Sequence, residues 1–570
     1  MRVLLTRSLS LRLALPNARR VTLRPLVSAY NRPIVIRAMS DIKTGAVLDA
    51  SELGEGQMKV VDFEGGEVLL SKVNGIVNAT SAHCSHYGAP LAKGVLGKDG
   101  RVTCPWHGAC FNLCTGDIED APGLDSLFKY TAEVRDGKIY VSAPEAELKS
   151  KVGRKIPRAR KPVAATADHT VVIVGGGSGG IHTIEGLREN NYAGNIILLS
   201  QEPYAPIDRT KLSKALVDDA SKIQWRTPEE LRNEFGVDVR LGTAVTAVDT
   251  DKKTVSTKDG EVKYDSLVLS TGGIPRKIPI EGKDLDGVIT LRHVEDAKAI
   301  TSRLGPEADV VIIGTSFMGL EAATTIAKKE HRSLVVVGVD EVPFEHLLGR
   351  DLGLAIVKHL EGLGVTFHRS AAVEKITGEN GKATALHVKG MDPIPANVII
   401  MGTGVAPATG FMKGSFEMER DGGVNVDEFL RVKGKNDVFA IGDICHYPQF
   451  PRGNVRRVEH WNVAGNHGRH VASTIAGKPS AYQQVPVFWS TIGKGLRYIG
   501  SGERAEQSWM DGSADDLKFV LYQANKDGDI TTVCSMGRDP IVAKANELLR
   551  TGKMPKLGEI KAGKNILDIQ

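Results

Sequence analysis

Cysteine is scarce in this chain, six in 570 residues. A secreted disulfide scaffold uses cysteine far more densely, so that class is set aside. No run of 18 or more apolar residues occurs, which argues against a spanning apolar helix. No fixed short repeat recurs. Acid is absent from residues 1–40, Asp41 being the first. Lysine is absent from 1–37 as well, while eight arginines (Arg2, Arg7, Arg12, Arg19, Arg20, Arg24, Arg32, Arg37) are spaced by Leu, Ser and Thr. That composition predicts a mitochondrial targeting segment over 1–38. The alternatives are a disordered basic arm or a cytoplasmic form starting at Met39. Removing those eight charges takes the formal net charge from +5 to −3, so the body of the chain shows no basic footprint for nucleic acid.

Four of the few cysteines fall close together. Residues 82–91 read AHCSHYGAPL and residues 103–111 read TCPWHGACF. Each stretch places a thiol and an imidazole a few residues apart: Cys84 with His86, Cys104 with His107. Two thiolates and two imidazoles suit a zinc ion or a Rieske [2Fe-2S] centre, with a structural role in a core as the bland alternative. Strand-like runs surround them. Gly65-Gly66, Asn74-Gly75 and Asp136-Gly137 supply the positive φ that tight hairpins need. Residues 45–143 therefore read as a small all-β domain. Residues 144–168, proline-marked, charged and poor in large apolar side chains, read as a linker. Cys110 and Cys114 follow the second stretch and read as structural thiols.

From His169 the pattern changes. Apolar strand runs alternate with helix-length segments, the rhythm of doubly wound α/β sheets. At about 150 residues per domain, the chain has room for roughly four domains. VVIVGGGSGG presents Gly175, Gly177 and Gly180 between a strand and a helix, and VVIIGTSFMGLEAA repeats the device with Gly314, Ser316 and Gly319. Such loops let backbone N–H groups and a helix N-terminus approach a pyrophosphate. One such motif is a weak signal; two in the right setting are stronger. Asp443 follows a third apolar run in DVFAIGDIC.

This combination resembles the pyridine-nucleotide-dependent flavoprotein reductases, over residues 170 nearly to the end. The resemblance implies FAD on the first loop, NAD(P)H on the second, and Asp443 on the ribityl–phosphate part of the flavin. SQEPYAPIDRTKLSK carries Arg209 and Lys214 onto flavin contacts, and Val245 and Trp461 are implied as further contacts. Glu321 is implied to pair with Lys214 beside the flavin and the nicotinamide, with Trp489 against the hydride path; a surface charge pair and a core tryptophan are the alternatives. The acid that usually takes the ribose hydroxyls falls on Gln201, so Glu202 is expected to substitute. In the second half that position falls on Gly338, which predicts no strong preference for NADH over NADPH, with Asp340 as the fallback acid and Gly338→Glu as the change expected to favour NADH. The first βα unit has no Cys-x4-Cys, so the redox dithiol of the disulfide reductases is missing and electrons must leave another way.

The Cys/His stretches supply that way. With HYGAPL and PWHGACF around them, they resemble the Rieske ferredoxin family, which implies Cys84 and Cys104 on one iron and His86 and His107 on the other. Gly88-Ala89 and Trp106 stand where respiratory Rieske proteins place loop-clamping cysteines. Together the halves resemble the apoptosis-inducing-factor-like oxidoreductases in their Rieske-containing form. The expected architecture is multidomain: an all-β Rieske domain (45–143), an α/β doubly wound FAD-binding domain (169–290 and 404–479), an α/β NAD(P)-binding domain (291–403), and an α+β reductase domain (480–570). The expected chemistry passes electrons from NAD(P)H through FAD and the cluster to an unidentified one-electron acceptor protein. The alternatives are a slow redox-sensing signalling protein or the reductase component of an oxygenase system. No cysteine-rich sirohaem segment follows, which argues against a nitrite reductase subunit.

Overall fold

The computed structural model describes residues 41–150, 153–155, 166–500 and 502–569. The targeting segment expected over 1–38 lies outside the described residues.

Alternating apolar and polar residues build an antiparallel sheet of six strands, in the order Ile42–Asp49, Lys138–Pro144, Lys129–Arg135, Ile76–Ser81, Gly66–Val73, Met58–Phe63. Asn74-Gly75 and Asp136-Gly137 both take positive φ at their hairpin tips. The first tip is one residue earlier than the sequence suggests. Phe63 pairs with Gly66, so Glu64 and Gly65 form the turn, both at positive φ. A second sheet of four short strands, from Val95–Leu96 to Ile118–Asp120, carries the two Cys/His loops away from the first.

The segment expected to be a linker begins as structure. Lys138–Pro144 ends the sheet and Glu145–Leu148 makes one helical turn. Arg154 then exchanges backbone hydrogen bonds with Ser126. Leu148 is buried against the sheet, an apolar anchor within a charged stretch.

Two parallel five-stranded sheets follow, each of near-continuous apolar strands such as Thr170–Val174 and Ser333–Val337, as burial on both faces requires. The first sheet runs Val237–Arg240, Asn195–Leu199, Thr170–Val174, Ser266–Leu269, Val438–Ala440. Its last strand arrives about 170 residues after its neighbour, so the second sheet (Val288–Ile289, Val398–Met401, Asp309–Ile313, Ser333–Val337, Thr366–His368) is inserted within it. The C-terminal unit is an antiparallel sheet of five strands between Val487 and Met536, followed by the helix Ile541–Arg550. Ile492, Leu496 and Phe519 share one core with Val310, Ile312 and Val336 of the second parallel sheet. No described helix is long and apolar enough to cross a membrane.

Candidate functional site

The two glycine loops are built alike. Gly175 and Gly314 end their strands at φ +113° and +115°, a region that favours glycine. A Cβ on either would lie 2.4 Å from a carbonyl oxygen, of Ser270 or of Gly402. One turn later, a Cβ on Gly180 or Gly319 would meet the Gly175 or Gly314 carbonyl oxygen at 2.2 and 2.5 Å. Helix and strand therefore touch backbone to backbone in both halves. Between them, Gly177 and Ser316 are the N-cap residues of Ser178–Glu189 and Phe317–Ile326, and neither side chain caps its helix. The Ser316 hydroxyl donates instead to Gly402. Both helix N-termini thus keep free N–H groups, and the Cβ position of Gly177 faces open space. That is a cradle for a phosphate.

Around the first loop the expected residues converge in part. Asp443 lies 3.4 Å from the Arg292 guanidinium. Ser178 donates to the Trp461 carbonyl at 2.7 Å, tying the loop to the helix Trp461–Ile475. The Trp461 indole N–H and Asn462 Oδ1 are buried without a protein partner, which fits a polar group arriving there. A cavity of about 540 Å³ opens nearby, lined by Arg457, His460, Val463 and Phe488 among others. Val245 begins the strand Val245–Asp249 and packs on the edge of the first core. Gln201 is exposed. Glu202 faces inward, and Arg209 grips both its oxygens at 2.8 Å while His293 adds a third contact at 2.9 Å. Burial alone would raise the Glu202 pKa, but Arg209 and His293 reverse that and hold it at about 2. Two residues expected to touch FAD separately thus form one unit.

Lys214 and Glu321 form an ion pair at 2.8 Å, and Glu321 is buried. Ser490 donates to one carboxylate oxygen at 2.6 Å and Ser213 to the other at 2.5 Å. Neither serine is marked in the sequence, although each adjoins a residue singled out there, Trp489 and Lys214.

In the second half the expectation for Gly338 needs correction. A Cβ there would lie 2.5 Å from Thr315 Cγ2. Position 338 is glycine because the phosphate loop packs against it, so a glutamate at 338 would displace the loop before it could meet a ribose. Asp340, the fallback acid, lies 3.4 Å from the Thr315 hydroxyl.

The two Cys/His loops are near-copies. Cys84 N–H bonds the Ala89 carbonyl and Gly88 N–H bonds the Cys84 carbonyl; Cys104, Ala109 and Gly108 repeat the pattern. Each loop folds back on its cysteine, with backbone N–H groups of His86 and Tyr87 aimed at Cys84 Sγ and those of Trp106 and His107 at Cys104 Sγ. The thiols face one another. The imidazoles do too, with their Nδ1 atoms 3.1 Å apart. The Cys84 thiol donates to Cys104, which pushes Cys84 up and Cys104 down. Burial holds His86 at about 3 and His107 well below the usual histidine range, leaving neutral imidazoles, the form that ligates metal. Among the described residues no three His, Cys, Asp or Glu side chains converge as a single-ion site. A thiol pair and a separate imidazole pair fit two irons better than one zinc ion. All six cysteines are free; Cys110 is buried and Cys114 exposed.

The histidine edge packs against the reductase half. The His107 ring lies 4.5 Å from Trp489 and the His86 ring 5.6 Å from it. Trp225 lies 5.8 Å from His86 on a near-parallel plane. The Tyr87 hydroxyl donates to Asp208, Ala121 N–H to Asn466 at 2.7 Å, and Arg226 joins Asp125 to Glu185. Trp489 and Ser490 are neighbours in the strand Val487–Ile492, so the imidazoles and the Lys214–Glu321 pair lie against one strand.

Comparison with known proteins agrees with this division. The pyridine nucleotide-disulphide oxidoreductase family matches residues 169–468, and the Rieske [2Fe-2S] domain matches residues 43–131. Apoptosis-inducing factor 3 of Homo sapiens is 36% identical over 527 residues, 91% of this chain and 86% of that one. The ferredoxin–NAD(+) reductase subunit of the benzene 1,2-dioxygenase system of Pseudomonas putida is 30% identical, over 67% of this chain and 92% of that one. The covalent putidaredoxin reductase–putidaredoxin complex superposes with a TM-score of 0.64 at 25% identity, over 68% of this chain and 94% of that one. The family brings FAD and NAD(P)H and the Rieske domain a [2Fe-2S] cluster. Similarity that runs through both halves and most of the length makes this chain a member of the pyridine nucleotide-disulphide oxidoreductases, an NAD(P)H-dependent flavoprotein oxidoreductase of the apoptosis-inducing-factor-like, Rieske-containing kind.

Proposed function

We propose that the chain carries electrons from NAD(P)H through FAD to its own Rieske cluster, and from there to an external one-electron acceptor. The observation that carries this reading is the packing of the His86 and His107 rings against Trp489, one residue from the serine that holds Glu321. When bound, FAD supplies hydride acceptance and the [2Fe-2S] cluster supplies one-electron storage at a potential above that of plant-type ferredoxins. The protein supplies position and charge. The glycine loops at Gly175, Gly177, Gly180 and at Gly314, Ser316, Gly319 would seat the two pyrophosphates. Arg209, held by Glu202, and Asp443 would fix the flavin, with Trp461 and Val245 at its margins. The Lys214–Glu321 pair would set the charge beside the nicotinamide. Cys84, Cys104, His86 and His107 would ligate the irons, and Trp489 would separate the imidazoles from the flavin.

The test uses the full chain. Anaerobic addition of NADH or NADPH should bleach the flavin and then bring up a Rieske-type electron paramagnetic resonance (EPR) signal, with no mediator present. Flavin that bleaches beside a cluster that stays oxidised refutes the reading.

Similarity to a ferredoxin reductase subunit favours a small iron–sulfur protein as acceptor. Similarity to apoptosis-inducing factor 3 favours a second reading, a redox sensor with slow turnover. Turnover with a one-electron acceptor below about 0.1 per second, against an enzyme median near 10, selects the sensor. The arginine-only leader supports mitochondrial import. Residues 1–37 fused to a fluorescent reporter should direct it to mitochondria, and a cytosolic reporter would refute that placement.

A further inference from the structure

Trp225 belongs to no motif in the sequence, yet it sits where the Rieske domain meets the first α/β half. Its backbone N–H bonds the Pro206 carbonyl at 2.9 Å, and Asp208 N–H bonds the Ile223 carbonyl at 2.7 Å. These bonds tie it to the segment that carries Arg209 and Lys214. The next residue, Arg226, is buried between Asp125 of the Rieske domain and Glu185 of the first loop helix. The backbone that carries the Trp225 indole is therefore tied to both halves.

Its ring continues a series of near-parallel planes. Tyr87 lies 3.8 Å from His86 at 14°, His86 lies 5.8 Å from Trp225 at 21°, and Trp225 lies 6.2 Å from Trp461 at 20°. The series runs from the cluster loop to the first residue of the helix Trp461–Ile475. The buried Trp225 indole N–H has no protein partner, so the contact to His86 is one of ring faces and not of hydrogen bonding. Offset-stacked pairs of this kind favour a defined relative plane. Rotation of the His86 imidazole about its own axis would break the series at both ends.

We propose that Trp225 is a positioning residue for flavin-to-cluster transfer: its stack on His86 and Trp461 sets the plane of the His86 imidazole relative to the reductase half. This rests on the function proposed above. Ligand orientation tunes a metal centre, and groups that fix it weigh on affinity or activity by about 10- to 100-fold. Tyr87 alone does not set that plane relative to the reductase half, because it travels on the same loop as His86. Trp225 is the near-parallel ring on His86 that belongs to the reductase half.

Trp225→Leu and Trp225→Phe of the full-length holoprotein separate the possibilities. The EPR spectrum of dithionite-reduced protein reads the imidazole setting without any turnover. Trp225→Leu should shift or broaden that spectrum. It should also slow flavin-to-cluster transfer by about tenfold, the lower end of what such contacts contribute, with flavin bleaching by NAD(P)H unchanged. Trp225→Phe, which keeps a ring in the series, should recover both. An unchanged spectrum and rate in Trp225→Leu overturns the proposal, as does a Trp225→Phe as impaired as Trp225→Leu, or a Trp225→Leu that lacks iron or FAD. Should Trp225→Leu not fold, Trp225→His takes its place, with a partial spectral shift expected and an unchanged spectrum overturning the idea. Wild-type protein with no internal transfer refutes the proposed function instead, and the dithionite spectra still decide Trp225.

Discussion

His107→Ala should lose the Rieske-type EPR signal and cut transfer to an external one-electron acceptor by more than about a hundredfold, beyond what the loss of a supporting contact around a metal ligand costs. His107 supplies one of the two facing Nδ1 atoms, so under the proposed ligation its removal would halve the nitrogen donors of one iron. FAD should stay bound. The glycine loop, Asp443, Arg209 and Glu202 lie outside the Rieske domain, and none touches His107. Bleaching by NAD(P)H should continue close to the wild-type rate, measured by anaerobic stopped flow in the flavin band.

The sequence reading puts the cluster and flavin sites in separate domains joined by the 144–168 segment. The structure modifies this, because the His107 ring packs on Trp489. The variant leaves a small gap there, so a modest loss of stability is expected, within the usual 0.5–3 kcal/mol or so for a point change. An unchanged EPR signal would reject His107 as a ligand. Loss of flavin together with the cluster would assign it a supporting role in the fold.

What the sequence made legible is what short segments encode. Gly175, Gly177 and Gly180 announce a loop because each solves a local backbone problem within six residues. Cys84 with His86 and Cys104 with His107 announce a metal centre because cysteine is scarce in the chain and each of these two has a histidine within three residues. The parallel strands are legible as unbroken apolar runs. What stayed hidden depends on partners far along the chain. Glu321 meets Ser213 across 108 residues and Ser490 across 169, and nothing local marks a serine as such a partner. Trp225 and Arg226 gain their meaning from His86 and Asp125, across a junction between domains. Gly338 misled for the same reason. Its absent acid is visible in the sequence, but the reason for the absence is the side chain of Thr315. Even the first hairpin shows the limit: Glu64-Gly65-Gly66 offers two turns one residue apart, and only the pairing of Phe63 with Gly66 selects between them.

Glu321 gives the second large effect. Its carboxylate is the common acceptor for Lys214, Ser213 and Ser490. Glu321→Ala leaves an ammonium group and two hydroxyls without that acceptor. Removing one partner of a buried pair costs about 3–5 kcal/mol; the lower end applies, because the Lys214 side chain is 20% exposed and water reaches it. A lower thermal midpoint is therefore expected. Glu321→Gln separates charge from packing. Its amide oxygen still accepts from one serine and fills the same volume, so its midpoint should lie near wild type. It cannot balance the Lys214 charge. If the pair sets the field on the hydride path, flavin reduction by NAD(P)H should fall by about a hundredfold in Glu321→Gln, the scale on which one preorganised polar group acts. The Rieske EPR signal after dithionite should be unchanged, since Glu321 touches neither imidazole. Stopped-flow reduction with saturating NADH and NADPH gives the rate, and calorimetry the midpoint. A Glu321→Gln that reduces at wild-type speed would confine the pair to holding Ser213 and Ser490 in place, and would move the search for the hydride-path charge to His460, which packs on Trp489 at 5.1 Å.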